Sequence, residues 1–270
     1  MLITVNGLVT RVYPTGNNDR ILHILTEEHG RLSVMVKGSA SRKKDNTASA
    51  TQLFTYGNFE LYRGRAGDLY WLRNSSPLQY FYGVTRDLST MALATYLCDV
   101  ATELCAEEDV FPETEDLLRM LLNTLYALSE GKKPHMLVKA VFEMRLAAMM
   151  GYQPDLTACA RCKNVYPDNA YIDIMNGRVI CADCQTELNR TLRRPEVEQE
   201  LGERRIICPV TASTLAALRY ALAAPDRKIF SFTLADEEEL RLFSHVAETY
   251  LLNQLEQDFD TLKFYRSVAD

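Results

Sequence analysis

Short stretches in which apolar and polar positions alternate occupy the first eighty residues of the chain. These stretches share branched and aromatic side chains, as strands do, and each ends near glycine, proline or asparagine residues that favour turns. The predicted strands cover residues 2–12, 20–26, 31–37, 56–62 and 68–73. Five short strands without a long helix between them favour a small β-barrel, and the OB-fold is the leading candidate for residues 1–80.

From residue 84 onward the apolar positions recur every three or four residues, which is the period of an amphipathic helix. After this first helix, further helices are predicted at residues 113–129, 135–150, 211–223 and 236–255. Gly151 is expected to end the helix before it, because glycine readily adopts the left-handed conformation that stops a helix. Residues 186–194 are predicted as a polar or helical link, and residues 195–209 as irregular chain. The fold class is therefore α+β, with the barrel followed by a helical bundle over residues 81–270.

The composition is that of an ordinary globular protein. Of the 270 residues, 47% are hydrophobic and 24% are charged, and the length favours two domains. The first residues lack the basic start and the apolar run of a signal peptide. No run of about eighteen apolar residues occurs that could span a membrane. A reducing cytoplasm is therefore the expected location.

Four cysteines form the sharpest chemical motif in the chain. Cys159 and Cys162 make one CxxC pair, and Cys181 and Cys184 make a second pair after eighteen intervening residues. This spacing is typical of a four-thiolate zinc site in which the intervening chain returns as a hairpin. Two disulfides, a redox pair and an iron–sulfur cluster are alternatives that the spacing leaves open. Because sulfur would fill all four positions, we expect one structural Zn²⁺ per chain, in an insertion at residues 155–190.

The net charge of −6 hides an uneven distribution along the chain. Residues 1–80 carry ten lysines and arginines against six acidic residues, so the predicted barrel is basic and the remainder is acidic. The candidate DNA-binding cations are Arg31, Lys37, Arg42, Lys43, Lys44, Arg63, Arg65 and Arg73. The aromatic residues interleaved with them are Tyr56, Phe59, Tyr62, Tyr70 and Trp71. Cations that neutralise phosphates and rings that stack on bases are what single-stranded nucleic acid requires. The alternatives are a solvated surface loop and rings buried in the core.

No motif of a catalytic site is recognisable in the sequence. The four histidines are isolated, and none belongs to an HxxxH or HxE motif. There is no GxxxxGK[ST] phosphate loop and no GxSxG elbow. A zinc deaminase would need HxE before a PCxxC pair, whereas Cys208-Pro209 has the opposite order. We therefore expect no enzyme and predict no catalytic residues.

Several local motifs resemble those of the RecO family of DNA recombination and repair proteins, and the resemblance covers essentially the whole chain. The most specific motif runs from Phe142-Glu143-Met144-Arg145-Leu146 through Gly151-Tyr152-Gln153-Pro154-Asp155-Leu156 to Cys159. It looks like the family's helix and Gly-Tyr-x-Pro turn leading into a cysteine knuckle. The matching motifs near the N-terminus are Gly7-Leu8-Val9, Gly30-Arg31-Leu32 and Lys37-Gly38. As departures, Asn176-Gly177 replaces the paired glycines that are frequent in the family, and the basic loop after Lys37-Gly38 has fewer arginines.

The resemblance implies a recombination mediator of the RecF pathway, located in the cytoplasm at the nucleoid. Such a protein binds single- and double-stranded DNA, anneals complementary strands and helps to load RecA. The implied partners are RecR and the acidic, hydrophobic C-terminal tail of the single-stranded-DNA-binding protein. Docking of an acidic tail requires a cation beside an apolar pocket. The candidates in the helical part are Lys132, Lys133, Lys139 and Arg145.

Two other functions are consistent with some of these features. The acidity of residues 81–270 favours a zinc-ribbon adaptor that binds protein partners and does not contact nucleic acid itself. A zinc-dependent hydrolase acting on nucleic acid would need an open position on the metal, which four cysteine ligands do not leave.

Overall fold

The chain folds into two compact units, as a computed structural model describes for residues 2–38, 45–63, 69–105, 114–165, 167–192 and 205–269. Unit 1 comprises Met1–Lys132 together with Phe259–Asp270, and unit 2 comprises Lys133–Asp258. The domains predicted from the sequence are residues 1–80 and 81–270. The boundary between the compact units lies further along the chain, because the helices that follow the barrel pack within unit 1.

Five strands form a closed barrel in unit 1. They are β1 (Leu2–Pro14), β2 (Arg20–Thr26), β3 (Gly30–Val36), β4 (Thr55–Arg63) and β5 (Tyr70–Tyr80). The strand order is β1-β2-β3-β5-β4, and β4 pairs back to β1 to close the barrel. All pairs are antiparallel except β3 and β5, which are parallel. A short helix, α1 (Asp45–Ala50), lies between β3 and β4. This barrel confirms the predicted OB-fold.

Alternating residues of these strands fill the barrel with apolar side chains. The buried core consists of Val5, Val9, Leu22, Ile24, Leu32, Val34, Val36, Phe59, Leu61 and Tyr70. Gly7 is required by a close approach between strands, since a Cβ there would lie 2.5 Å from Cγ2 of Ile24 and 2.8 Å from the carbonyl oxygen of Leu25. A larger residue at position 7 would therefore push β1 away from β2.

The remaining described helices and strands follow the barrel in the sequence. The helices are α2 (Leu88–Leu104), α3 (Thr114–Glu130), α4 (His135–Met149), α5 (Ala182–Leu192), α6 (Ala212–Ala223), α7 (Glu237–Leu255) and α8 (Asp260–Val268). The strands are β6 (Asn169–Asp173), β7 (Arg178–Cys181) and β8 (Ile207–Thr211). Within the described parts of the chain, no helix is long and apolar enough to cross a membrane.

Most predicted helices are confirmed to within a few residues, and Gly151 has the expected positive φ of 86° at the end of α4. The structure departs from the prediction in several places, two of them in the second half of the chain. The end of the segment predicted to be irregular, residues 195–209, contributes the start of β8, which pairs with β6 as an edge strand. The short helix α8 was not predicted, and it packs against α2 in unit 1.

A buried carboxylate, Asp99 on α2, connects three elements of unit 1. Its carboxylate forms a close ion pair with the guanidinium of Arg11 on β1. It also accepts a 2.8 Å hydrogen bond from Oγ1 of Thr261 on α8. The rings of Tyr96 and Phe259 pack edge to face nearby along the same helices, with centroids 6.0 Å apart. Asp99 therefore joins the barrel, the first long helix and the C-terminal helix.

In unit 2, α4 packs against α6 and α7, and ten of its fifteen residues are buried. The strands β7, β6 and β8 form a three-stranded antiparallel sheet. Residues between β6 and β7 turn through Gly177, which has a φ of 57°. The hairpin expected between the two cysteine pairs is therefore confirmed.

We predict that Asp99→Ala lowers the free energy of unfolding by about 2 kcal/mol, because Thr261 loses its acceptor and Arg11 keeps only its 3.0 Å ion pair with Glu103. Urea unfolding followed by circular dichroism measures this change. Asp116→Ala is the matched control, since Asp116 pairs with Arg119 on the exposed surface of α3, and it is expected to cost less than about 1 kcal/mol. Equal costs for the two variants would contradict the role of Asp99.

Candidate metal centre and nucleic-acid surface

The chain enters the cysteine knuckle through a turn that its own backbone shapes. After α4 ends, the N–H of Asp155 donates to the carbonyl of Gly177 in the hairpin, at 2.7 Å. The carboxylate of Asp155 accepts from Oγ1 of Thr157 at 2.6 Å and from its N–H at 3.1 Å. These hydrogen bonds from Thr157 lower the pKa of Asp155. The turn therefore fixes the approach of the chain to the first CxxC pair.

The four cysteines of the two CxxC pairs converge. All four sulfur atoms of Cys159, Cys162, Cys181 and Cys184 lie within 4.8 Å of one another, and the Cys162 and Cys181 sulfurs are 3.6 Å apart. Four sulfurs at about 2.3 Å from one tetrahedral ion would be separated by about 3.8 Å, so the spacing is compatible with a metal site. Cys162 is exposed and the other three are buried.

The first CxxC turn is held by its own backbone. The N–H of Cys159 donates to the carbonyl of Asn164 at 2.8 Å, and the N–H of Lys163 donates to the carbonyl of Cys159 at 3.0 Å. Lys163 has a positive φ of 63°, which closes the turn. The second pair sits where β7 ends at Cys181 and where the first turn of α5 carries Cys184. Strand and helix therefore present the second pair opposite the first turn.

The electrostatics of the quartet favour a bound cation. Burial by itself would raise the pKa of the Cys159 thiol, but backbone N–H groups of Cys181, Cys162 and Arg161 donate to its sulfur and lower that pKa to about 6. Hydrogen bonding with the neighbouring thiols, most strongly with that of Cys181, raises the pKa of Cys184 to about 12. Four thiolates this close repel one another unless a positive charge lies between them. The donor set therefore fits a soft divalent metal ion.

Side chains of the surrounding helices tie the knuckle to the rest of unit 2. Arg219 on α6 donates from Nε to the carbonyl of Leu156 at 2.7 Å, and from Nη2 to the carbonyls of Thr157 and Val165 at 3.1 and 2.7 Å. The Tyr250 hydroxyl on α7 donates to the carbonyl of Tyr152 at 2.9 Å. Arg219 therefore holds both ends of the first cysteine loop.

A shallow cavity of about 460 Å³ lies between this loop and α6. Its lining is largely apolar and includes Pro154, Leu156, Val165 and Leu222, with Arg219 at its edge. Sequence reasoning missed both the cavity and Arg219, because the carbonyls that Arg219 binds come from a loop more than fifty residues earlier in the chain. The local sequence signal for the role of Arg219 is its position beside the apolar residues of α6.

The structure places only some of the predicted DNA-binding residues. Arg42, Lys43, Lys44 and Arg65 lie outside the described residues. Arg73 is exposed and lies 3.8 Å from the carboxylate of Glu60. The roles of these residues stay predictions.

Arg31 is half-buried rather than fully exposed. It lies close enough to Cys105 to oppose the effect of burial, which raises the pKa of that thiol to about 11. Arg31 is therefore within electrostatic range of Cys105, the residue that follows α2.

One group of predicted residues does come together on the outside of the barrel. The ammonium of Lys37 lies 5.0 Å from the centre of the Trp71 ring, and the rings of Trp71 and Tyr62 stack with centroids 6.5 Å apart. Tyr62 and Trp71 are direct partners across β4 and β5, and Tyr62 is 43% exposed. We call Lys37, Tyr62 and Trp71 the aromatic platform.

The other predicted aromatic residues have different positions. Phe59 and Tyr70 belong to the barrel core, and Arg63 lies over the Tyr70 ring at 5.3 Å. The Tyr56 hydroxyl donates to Glu27 at 3.4 Å. Strand alternation therefore divides the five rings between the core and the surface.

The prediction for Lys139 as a partner-binding cation is wrong. Its side chain is only 3% exposed, and its ammonium pairs with Glu143 at 2.9 Å and with Glu248 on α7 at 2.8 Å. A buried charge must be paired, so this lysine serves the packing of α4 against α7. Arg145 is also engaged within unit 2, since its guanidinium donates to the carbonyl of Ala224 and its side chain is only 17% exposed.

Lys132 and Lys133 remain nearer the surface. Lys132 is exposed and pairs with Glu130 at 2.6 Å, and Lys133 donates to the carbonyl of Phe232 at 3.0 Å. Their predicted role with a partner stays a prediction.

Comparisons with known proteins agree with this architecture. A model described as the N terminal of recombination protein O matches residues 1–81, and one described as its C terminal matches residues 85–263. The DNA repair protein RecO of Acetivibrio thermocellus is 27% identical over 98% of this chain and 97% of its own. RecO of Symbiobacterium thermophilum is 31% identical over 88% and 93%, and RecO of Dehalococcoides mccartyi is 30% identical over 79% and 76%.

The OB-fold barrel matches the N-terminal family model, and the helical part with the cysteine knuckle matches the C-terminal one. Together they define the class as recombination proteins with this two-part architecture. The chain belongs to the RecO family of DNA repair and recombination proteins.

We predict that Arg219→Ala lowers the free energy of unfolding by about 2–3 kcal/mol, because it leaves three carbonyls of the knuckle without a donor. Arg219→Lys is expected to recover little, since an ammonium cannot reproduce the planar fork of the guanidinium. Thermal and urea unfolding measure both variants.

Arg241→Ala is the control, because Arg241 pairs with Glu237 on the exposed face of α7 and contributes little. If Arg219→Ala unfolds at the same urea concentration as the wild type, Arg219 does not hold the knuckle.

Proposed function

We propose that this protein is a non-enzymatic recombination mediator of the RecF pathway. It binds single- and double-stranded DNA, anneals complementary strands and helps to load RecA onto DNA coated by the single-stranded-DNA-binding protein. Membership of the RecO family supports the general role in DNA repair and recombination. The cytoplasm at the nucleoid is the location that this role requires.

The observation that carries the DNA-binding part of the proposal is the aromatic platform on a basic barrel. Trp71 and Tyr62 stack outside the core as cross-strand partners, so part of their ring surface is open to a ligand. Lys37 adds a cation at the face of Trp71. Rings that stack on unpaired bases, next to cations that bind phosphates, are the means by which such barrels hold single strands.

Annealing follows from this mode of binding without any covalent chemistry. Two anionic strands repel each other, and a basic surface lowers this repulsion by replacing their counterions. Stacking on the base face leaves the base-pairing edges accessible to a complementary strand. The barrel therefore accelerates an encounter and does not need an open metal position or an acid–base pair.

The cysteine quartet would hold Zn²⁺ in this proposal. When bound, zinc would supply a rigid tetrahedral link and no reactive water, because all its positions are taken by sulfur. Cys159 and Cys162 come from the loop held by Arg219, and Cys181 and Cys184 come from β7 and α5. The metal would thus fasten the loop to the hairpin.

RecR and the C-terminal tail of the single-stranded-DNA-binding protein are the proposed protein partners. Exposed Lys132 and half-buried Lys133 are the candidates for contact with an acidic tail. The second candidate function, a zinc-ribbon adaptor without DNA binding, is favoured by the acidic remainder of the chain. It predicts that DNA does not change the fluorescence of Trp71.

We predict that Trp71→Ala weakens binding of single-stranded oligonucleotides about fivefold or more, because a stacked ring contributes about 1–3 kcal/mol per base. Trp71→Phe is the matched control that keeps a ring. Fluorescence anisotropy of a labelled oligonucleotide measures both.

Replacing Arg42, Lys43 and Lys44 with alanine is expected to reduce the slope of log K against log salt by about 2, since three phosphate contacts are lost. Binding that does not depend on salt, or no binding, would refute the proposal.

We predict that removal of zinc by a chelator, or Cys159→Ser, abolishes cooperative unfolding of the region around the knuckle, because the binding energy of a structural zinc is folding energy. Metal analysis by mass spectrometry and thermal unfolding measure the two parts of this effect. Cys208→Ala is the control, since Cys208 lies outside the quartet and its loss should leave one zinc per chain. Unchanged stability after complete zinc removal would contradict a structural role.

A further inference from the structure

Two tyrosines at the C-terminal end of β5 stack outside the core. The rings of Tyr80 and Tyr82 lie with centroids 5.2 Å apart and an angle of 27° between their planes. Tyr82 is 76% exposed, so most of its ring is open to solvent. Burying apolar surface does not explain this arrangement, because the outer ring buries little of its own surface.

The backbone beside Tyr82 is held in place by α3. The N–H of Gly83 donates to Oγ of Ser129 at 3.0 Å. A Cβ at Gly83 would lie only 1.9 Å from the carbonyl oxygen of Ser129, so glycine alone permits this approach. Phe81 and Val84 are buried on either side. Tyr82 is therefore presented on a turn whose conformation is already ordered, which lowers the entropic cost of binding a ligand.

A cation follows this pair closely in the sequence. Arg86 follows Tyr82 by four residues and is exposed, and its guanidinium lies beside Gly131 at the end of α3, with Nη1 3.5 Å from the position that a Cβ would take there. Lys132, also exposed, follows Gly131 and shares its charge with Glu130. Arg86 thus adds an exposed cation at the end of the short turn that Tyr82 begins.

We propose that Tyr80, Tyr82 and Arg86 form a second stacking site for single-stranded nucleic acid. The proposal rests on the DNA-binding function proposed above, and extends it to a second place on the same strand. Trp71 and Tyr80 lie at opposite ends of β5, at most about 30 Å apart along an extended strand. Because OB-folds cover about 4–16 nucleotides, one strand of DNA toward the upper end of that range would reach both sites.

A nucleic acid fits these features better than a protein partner. The groups that reach solvent are the exposed Tyr82 ring, the half-buried Tyr80 ring stacked on it and the Arg86 guanidinium, which match a base and a phosphate. Tyrosine and arginine are also frequent at protein interfaces, but there they fill desolvated pockets, whereas Tyr82 is 76% exposed on a turn. Contact with a protein is therefore an outcome that the experiment must be able to reveal.

The test uses the full-length, zinc-loaded protein with oligothymidylates of about 16 nucleotides, the upper end of the OB-fold range. Trp71 is the only tryptophan of the chain, so its fluorescence reports directly on the aromatic platform. Tyr82→Ala is expected to weaken binding about fivefold or more, with the salt dependence unchanged because no phosphate contact is lost. Tyr82→Phe, which keeps the ring, should bind as the wild type. Arg86→Ala should reduce the salt slope by about 1.

Thermal unfolding of Tyr82→Ala should match the wild type, since the ring is exposed. If Tyr82→Ala binds oligothymidylate with unchanged affinity while DNA still quenches Trp71, the second site is refuted and the proposed function stands. Loss of binding to a protein partner with unchanged DNA affinity would likewise overturn the inference, in favour of a protein contact. Absence of Trp71 quenching in the wild type would instead count against the proposed function itself.

Discussion

The parallel pairing of β3 with β5 is the constraint on which the candidate DNA surface depends. It aligns Met35 with Trp71 and thereby closes the barrel between its third and fifth strands. The same register carries Lys37, just beyond the end of β3, to the face of the Trp71 ring. The antiparallel pairing of β4 with β5 then sets Tyr62 against Trp71. Two registers of a sheet therefore assemble a surface from Trp71, from Tyr62 nine positions before it and from Lys37 thirty-four positions before it.

Unit 2 depends on a different kind of interaction, the satisfaction of backbone carbonyls in an irregular loop. The loop of the first CxxC pair is irregular and has no regular ladder of hydrogen bonds, so its carbonyls need donors from elsewhere. Arg219 supplies three such donations, and Tyr250 supplies another at the entrance of the loop. The sulfur atoms are therefore brought together by the fold as well as by the local spacing of each CxxC pair.

Features set by local chemistry could be predicted from the sequence. The CxxC spacing placed four sulfurs together, and the strand Arg20–Thr26 was predicted with the bounds that the structure has. The fifth strand was predicted to end at residue 73, whereas it continues to Tyr80, because pairing with β4 carries it through Ser75, Ser76 and Pro77. The partner is the preceding strand, β4, and the polar run Asn74-Ser75-Ser76-Pro77 carries no strand pattern of its own.

The errors in unit 2 have the same origin. Lys139 looks like a surface cation by its residue type, but its second carboxylate, Glu248, is more than one hundred positions away. The segment predicted to be irregular contains Pro209, yet β8 forms as an edge strand, where a proline is tolerated because it need not donate to a neighbour. Burial and strand edges are properties of the assembled fold, which periodicity alone does not determine.

The central claim is that a basic barrel with stacking rings anneals DNA without catalysis. The most direct test is the rate at which two complementary oligonucleotides, each coated with single-stranded-DNA-binding protein, become duplex in the presence of this protein and without nucleotide cofactor. The account predicts a marked acceleration that disappears at high salt, because the strands are brought together by counterion release. An annealing rate equal to that without the protein would contradict it.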